Sequence, residues 1–238
     1  MATTYDISEI YPNSSLVEVV CEIRFSAELA IECKRNEFFD KIRDIYPNIL
    51  LPQSIGIQTN PVTGYRFENE SQNAGITLAL NRFSFYEKNY SGHKKFIKEF
   101  TRLANTLIAT YPLRDLQRLG WRYINIIPFS REDGIVPLKR FVAAGIKVPE
   151  GISDQFENLG IVFVSRVSDG AITTRIESIL RSNDQQEALL LDFDFAMTEK
   201  LQPSKIETYA KKAHKQTRAL FENLITDEYR QYLREETI

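Results

Sequence analysis

Apolar positions recur along this chain with two periods, and the order in which the periods alternate predicts the architecture. From Leu119 to Ile127, LGWRYINII places Trp121, Tyr123, Asn125 and Ile127 on one side of an extended backbone. Gly120, Arg122, Ile124 and Ile126 fall on the other, which is the period of two expected of a strand. Both sides are mostly apolar, so this strand belongs in the middle of a sheet. Leu16 to Phe25 alternates as strictly, with Val17, Val19, Cys21, Ile23 and Phe25 opposite a face that carries Glu18, Glu22 and Arg24. That charged face must reach water or pair its ions, because burying an uncompensated charge costs at least several kcal/mol.

The remaining elements follow from the same periods. Phe38, Ile42 and Ile45, with Phe39 and Tyr46 beside them, predict a short amphipathic helix stopped by Pro47. Pro52, Gly56, Asn60, Pro61 and Gly64 mark a loop around a short extended piece near Ile55 to Gln58. Strands resume at Gly64 to Glu68, Ile76 to Leu80 and Phe83 to Lys88 as a meander. With Ser91 as N-cap, the stripe Phe96, Phe100, Leu103, Leu107 and Tyr111 predicts a long helix that ends at Pro112.

After Pro112 the order repeats. Strand Leu119 to Ile127 leads to a helical piece near Pro137 to Ala144, then to strands Ile161 to Val167, Ala171 to Leu180 and Ala188 to Ala196. Asp169-Gly170 between two alternating runs is a hairpin signal. A closing helix runs from Pro203 through the stripe Ile206, Tyr209 or Ala210, Ala213, Thr217, Leu220 or Phe221 and Leu224, with a short one from Asp227. Each half, 1–112 and 113–238, reads strand, helix, three strands, helix, and EVVCEIRFSAE from Glu18 can be laid on RYINIIPFSRE from Arg122. The expectation is an α+β fold in one compact domain of two pseudo-repeats. Its large antiparallel sheet carries two long helices on one face, saddle-like or helix-grip-like. Such an arrangement does not assign a function.

PNSSLVEVVCEIRF from Pro12, GYRF from Gly64, RLGWRYINII from Arg118, LDFDF from Leu191 and LFENLITDE from Leu220 are spread along nearly the whole chain. In these motifs the chain resembles a sporadically distributed prokaryotic family of single-domain proteins of about this length. The resemblance implies no activity and no catalytic residues, since none is established for the family; its patchy distribution implies mobile or defence-linked genes.

Composition narrows the function classes. A chain of 238 residues, 43% hydrophobic and 26% charged, is long enough to bury a substantial core. Thirty Lys and Arg against 32 Asp and Glu give a formal charge of −2, without the positive field that non-specific nucleic-acid binding requires. Cys21 and Cys33 have no metal-type spacing and suit a reducing cytoplasm. The polar, acid-containing start reads as neither a secretory signal nor a mitochondrial presequence. No apolar run approaches the roughly 20 residues that cross a bilayer.

Familiar catalytic signatures are missing from the sequence. His93 and His214 lack a zinc motif and read as helix-surface residues unless a carboxylate or the other histidine lies nearby in space. The hydrolase elbow, the phosphate-binding loop and the dinucleotide-binding turn are absent as well. Asp192 and Asp194 alternate with Leu191, Phe193 and Phe195, so both carboxylates point away from the aromatics. Together with Glu18, Glu22, Arg24 and Arg122 they predict charges of both signs on the sheet face the helices leave open, either as cross-strand ion pairs or as a site. Arg66, with Tyr65 beside it, is a minor candidate for stacking or anion contact. Lys205, Lys211, Lys212, Lys215 and Arg218 offer either a basic patch for phosphate or nucleic acid or a solvated helix face, and Glu207 and Glu222, which dilute the charge, favour the second.

The reading is a non-enzymatic binding or regulatory protein that engages a protein or small ligand through the open sheet face, with Glu18, Glu22, Arg24, Arg66, Arg122, Asp192 and Asp194 as binding residues. The competing reading is an enzyme acting on a nucleotide or another small anion at a carboxylate/arginine site. Neither implies a metal or a cofactor. A homo-oligomer is compatible with both.

Overall fold

In the computed structural model the described residues are 9–51, 64–113, 115–143, 145, 150–151 and 153–235. The extended piece expected near Ile55 to Gln58 lies outside them. The strands are β1 (Leu16–Arg24), β2 (Asn48–Leu50), β3 (Tyr65–Glu68), β4 (Ala74–Ala79), β5 (Arg82–Glu87), β6 (Arg118–Pro128), β7 (Gly160–Val167), β8 (Gly170–Leu180) and β9 (Glu187–Met197). They form one open antiparallel sheet in the order β2-β3-β4-β5-β1-β6-β9-β8-β7. From β1 the order runs outward through β5, β4 and β3, and from β6 through β9, β8 and β7. The helices are α1 (Ala30–Cys33), α2 (Arg35–Phe39), α3 (His93–Thr110), α4 (Leu138–Phe141), α5 (Ile206–Leu224) and α6 (Asp227–Arg234).

Two compact units divide the chain, and they are not the two sequence halves. One takes Glu18–Trp121 and Ala196–His214; the other takes Arg122–Phe195, the chain from Lys215 onward and the arm up to Val17.

In the first unit the ladder aligns Phe67, Ile76, Phe85 and Cys21 on one face, with Leu78, Phe83 and Ile23 in the next row. The apolar stripe of α3 lies on this face. Phe96 packs against Phe85 with ring centroids 5.0 Å apart, and Phe100 against Phe83 at 6.2 Å. Trp121 presents its edge to Phe96 at 5.1 Å and is fully buried, as a large aromatic on a central strand must be. Gly92, not Ser91, caps α3 at a φ of 103°, a conformation open to glycine because it lacks Cβ. The helix expected over Phe38 to Tyr46 is shorter than its apolar spacing suggests. Regular α-helix stops at Phe39 and continues as turns, which leave Phe38, Ile42 and Tyr46 buried and Ile45 half exposed. The short edge strand β2 carried no sequence signal, because three residues do not establish a period.

In the second unit β7 and β8 pair from Gly160↔Glu177 to Val167↔Gly170. The hairpin turn is therefore Ser168-Asp169, one residue before the expected Asp169-Gly170. Phe193 of β9 meets Phe221 of α5 edge to face at 6.1 Å. The side chain of Thr226 caps α6 by accepting the Tyr229 N–H at 3.1 Å.

Candidate functional site

Alternation along β1, β3 and β5 sends every second side chain to the face opposite α3. In one row Glu68, Gly75, Tyr86 and Val20 lie side by side; in the next come Arg66, Thr77, Ser84 and Glu22. Small residues separate the large ones, so long side chains reach across. A Cβ on Gly75 would come within 2.7 Å of the Tyr86 hydroxyl, so glycine there lets the Tyr86 ring cross the strand. The hydroxyl donates to Glu68, which also accepts from Arg66 Nη2 at 2.7 Å. Arg66 donates to the Tyr86 oxygen at 3.0 Å, with its guanidinium 5.3 Å from the ring centroid. Burial first, and then the bond to Glu68, push the Tyr86 hydroxyl up to about 12. Arg66 is held above the usual arginine range by its bond to Tyr86, aided by the charges of Glu68 and Glu18.

Beside this triad Glu22 anchors two arginines. Its Oε1 accepts from Arg24 Nε at 2.7 Å and from Arg118 Nη1 at 3.0 Å. Arg118 was not expected, because its partner is 96 positions away in sequence.

In the second unit Arg122 holds Asp192 in a two-point fork, Nε at 2.7 Å and Nη2 at 2.6 Å, the strongest arrangement for this pair of groups. Asp194 lies two residues along β9, half-buried on the same side by alternation. Of the residues predicted from sequence, Arg122 with Asp192 and Glu22 with Arg24 are thus in direct contact. The charge of Glu18 helps to hold Arg66 protonated.

Three expectations need correction. Tyr65 and Arg66 do not form a joint anion contact: alternation sends them to opposite faces, and Tyr65 lies under the Arg35 guanidinium at 4.6 Å. His93 and His214 are not two independent surface residues. Their rings stack 4.3 Å apart and 11° from parallel, with His214 buried 5.7 Å from Trp121. Finally, the basic face of α5 is not wholly solvated. Arg218 turns inward to Glu222 at 2.7 Å, and buried Glu222 also accepts the Tyr11 hydroxyl at 2.9 Å and Arg230 Nε at 3.1 Å. The spacing of four between Arg218 and Glu222 is visible in sequence; the approach of Tyr11 and Arg230 is not.

A cavity of about 590 Å³ is lined by Ile135, Val136, Leu138, Lys139, Asp154 and Phe156 among others, and its lining contains none of the charged-face residues. No group of three His, Cys, Asp or Glu side chains among the described residues is arranged to hold a metal ion. No described helix is long and apolar enough to cross a membrane. Comparison with models of known protein families and with curated proteins finds no match.

Glu87 at the end of β5 gives a pH test of the packing beneath α3. Burial, followed by the charge of Glu99, raises its carboxyl from 4.5 to about 7, against the opposing pull of Lys95. With the folded value above the unfolded one, the folded state binds the extra proton between these values, so stability falls as pH rises from about 4.5 to 7. The penalty then stays at higher pH. Glu87→Gln should therefore gain on the native protein across that window and not below it. Urea midpoints for both proteins at acid and alkaline pH check this; a difference independent of pH would place the carboxylate in water.

Proposed function

We propose that this protein is a non-enzymatic binding or regulatory module that engages a protein or a small ligand through its charged sheet face. One observation carries the reading: three arginines on strands are each pinned by a carboxylate lying beneath them. Arg122, Arg66 and Arg24 side chains stay 43%, 46% and 50% exposed, whereas their acid partners Asp192, Glu68 and Glu22 keep 9%, 6% and 18%. The acids thus act as anchors that hold planar guanidinium groups toward solvent. Side chains already ordered lose little entropy on binding, and a guanidinium matches carboxylate or phosphate geometry. The partner this surface suits presents acidic groups or carbonyl oxygens.

The proposal includes the finer architecture. The same outward strand order from β1 and from β6 supports an internal duplication, and the aromatic contacts of α3 and α5 with alternate strand residues support placing both long helices on one sheet face. The family resemblance adds a defence-linked setting. The competing reading, an enzyme acting on a nucleotide or other small anion, draws on the same arginines but needs a carboxylate that does chemistry.

Substitution separates the two. In the purified native complex, Arg122→Glu and Arg24→Glu should weaken partner association at least tenfold, about 1.4 kcal/mol, once each variant is shown to be folded. Arg24 is exposed, so its reversal leaves the core untouched. Asp192→Asn and Asp194→Asn should have the smaller effect, because recognition spreads over several contacts whereas chemistry collapses with its acid or base. Loss of all activity in one Asp→Asn variant, with binding intact in both arginine variants, would establish the enzyme instead.

A further inference from the structure

Among the described residues the sheet ends at β7, a strand that lacks the prolines, lysines and bulges that keep an exposed sheet edge from pairing. It ends the strand order, with β8 as its neighbour. Val162, Phe163 and Val164 are 62%, 38% and 66% exposed, and alternation puts the valines on one face and the phenylalanine on the other. Gly160 to Val167 contains no proline and no lysine, Arg166 is its single charge, and the register with β8 runs without a bulge. Edges are ordinarily blunted by such charges, prolines or bulges, and a long apolar edge without them is a site of strand pairing. A packed helix would cover only one face. A further strand pairs the backbone edge and sets a side-chain neighbour beside the exposed residues of both faces at once.

We propose that β7 pairs antiparallel with β7 of a second copy of this chain, across a twofold axis at Phe163. This stands on the edge strand alone and does not depend on the role of the charged face. The two-residue hairpin closed by Val167 and Gly170 turns the N–H and C=O groups of Gly160, Val162, Val164 and Arg166 away from β8. These residues are symmetric about Phe163. Pairing centred there sets Val162 opposite Val164 of the second copy, Gly160 opposite its Arg166, and Phe163 beside its own mate, so every outward-facing residue finds a partner. Moving the centre to Val164 leaves Gly160 outside the ladder. Charge agrees with the chosen centre: the two Arg166 side chains lie six residues apart along the ladder, about 20 Å, beyond the reach of unscreened repulsion at physiological salt. A self-complementary patch of this kind closes on itself and stops at two copies. Eight residues make a small interface, so dissociation belongs in the micromolar range.

Sedimentation velocity on the full chain across micromolar concentrations should show a monomer–dimer equilibrium. Val164→Pro removes a donor that points away from β8 and so spares the native ladder; it should raise the dissociation constant at least tenfold. In a Cys33→Ser background, Phe163→Cys should oxidise to a covalent dimer, because facing residues at the twofold axis come within disulfide reach. Arg166→Cys should not. A wild-type chain that stays monomeric at every concentration overturns the proposal, as does a dimer that survives Val164→Pro. Cross-linking through residue 166 in place of 163 overturns it too, as does occupation of the edge by a different protein while the chain alone stays monomeric.

Discussion

Trp121→Ala is expected to lower the free energy of unfolding by about 3–5 kcal/mol, the range for deleting a large aromatic from a core. Trp121 has no exposed surface. Its ring is fixed from one side by Phe96 of α3 and from another by His214 of α5, at 5.1 and 5.7 Å. Neither neighbour has a long flexible side chain that can swing into the space left behind, so much of the cavity should persist. Trp121→Phe keeps an apolar ring and should cost less. Because Trp121 is the only tryptophan, unfolding is followed by far-UV circular dichroism and not by indole fluorescence. An unchanged denaturant midpoint would mean that the ring is not part of the core.

Glu222→Ala should be of similar size, about 3–5 kcal/mol, for a different reason. Glu222 is 1% exposed and the Arg230 side chain 5%, so the ion pair lies out of water. Removing the carboxylate leaves Arg218 and Arg230 without their shared buried acid, Arg230 keeping Asp227 and the Glu222 and Ile225 carbonyls, and removes the acceptor of the Tyr11 hydroxyl. Burial, and next the charge of Glu222, push that hydroxyl up to about 12, so Tyr11 remains a donor throughout the physiological range. Tyr11→Phe deletes one hydrogen bond and should cost about 1 kcal/mol. The arm at Tyr11 should also become protease-sensitive in Glu222→Ala before the rest of the chain does. Stability equal to that of Tyr11→Phe would show that the arginines reach water without the acid.

Much of the architecture was legible in the chain because alternation and helical spacing are local properties. The strict alternation of Val19, Cys21 and Ile23 with Glu18, Glu22 and Arg24 identified both faces of β1, and that of Phe193 with Asp192 and Asp194 did so for β9. Phe96, Phe100, Leu103 and Leu107 likewise marked the buried stripe of α3. Local signals failed where the element was too short for its period, as at Asn48–Leu50, or where a single backbone angle decided the boundary, as at Gly92.

What the sequence could not supply was the pairing of charges and rings far apart along it. Arg122 faced the acid-bearing side by alternation, but only the strand order brings β9 beside β6 and lets Asp192 accept both of its bonds. Glu222 looked like one more acid on a solvated helix, yet Tyr11, 211 residues earlier, and Arg230 enclose it. His93 and His214 were two isolated helix residues until α3 and α5 stacked their rings. The physical division is between periodicity and proximity. The face of an element follows from the pattern of its own few residues, since each side chain's direction repeats with the backbone. The partner a charge meets depends on loop closure and sheet order, which no local pattern encodes, and those partners determine whether an arginine is offered to solvent or locked in the core.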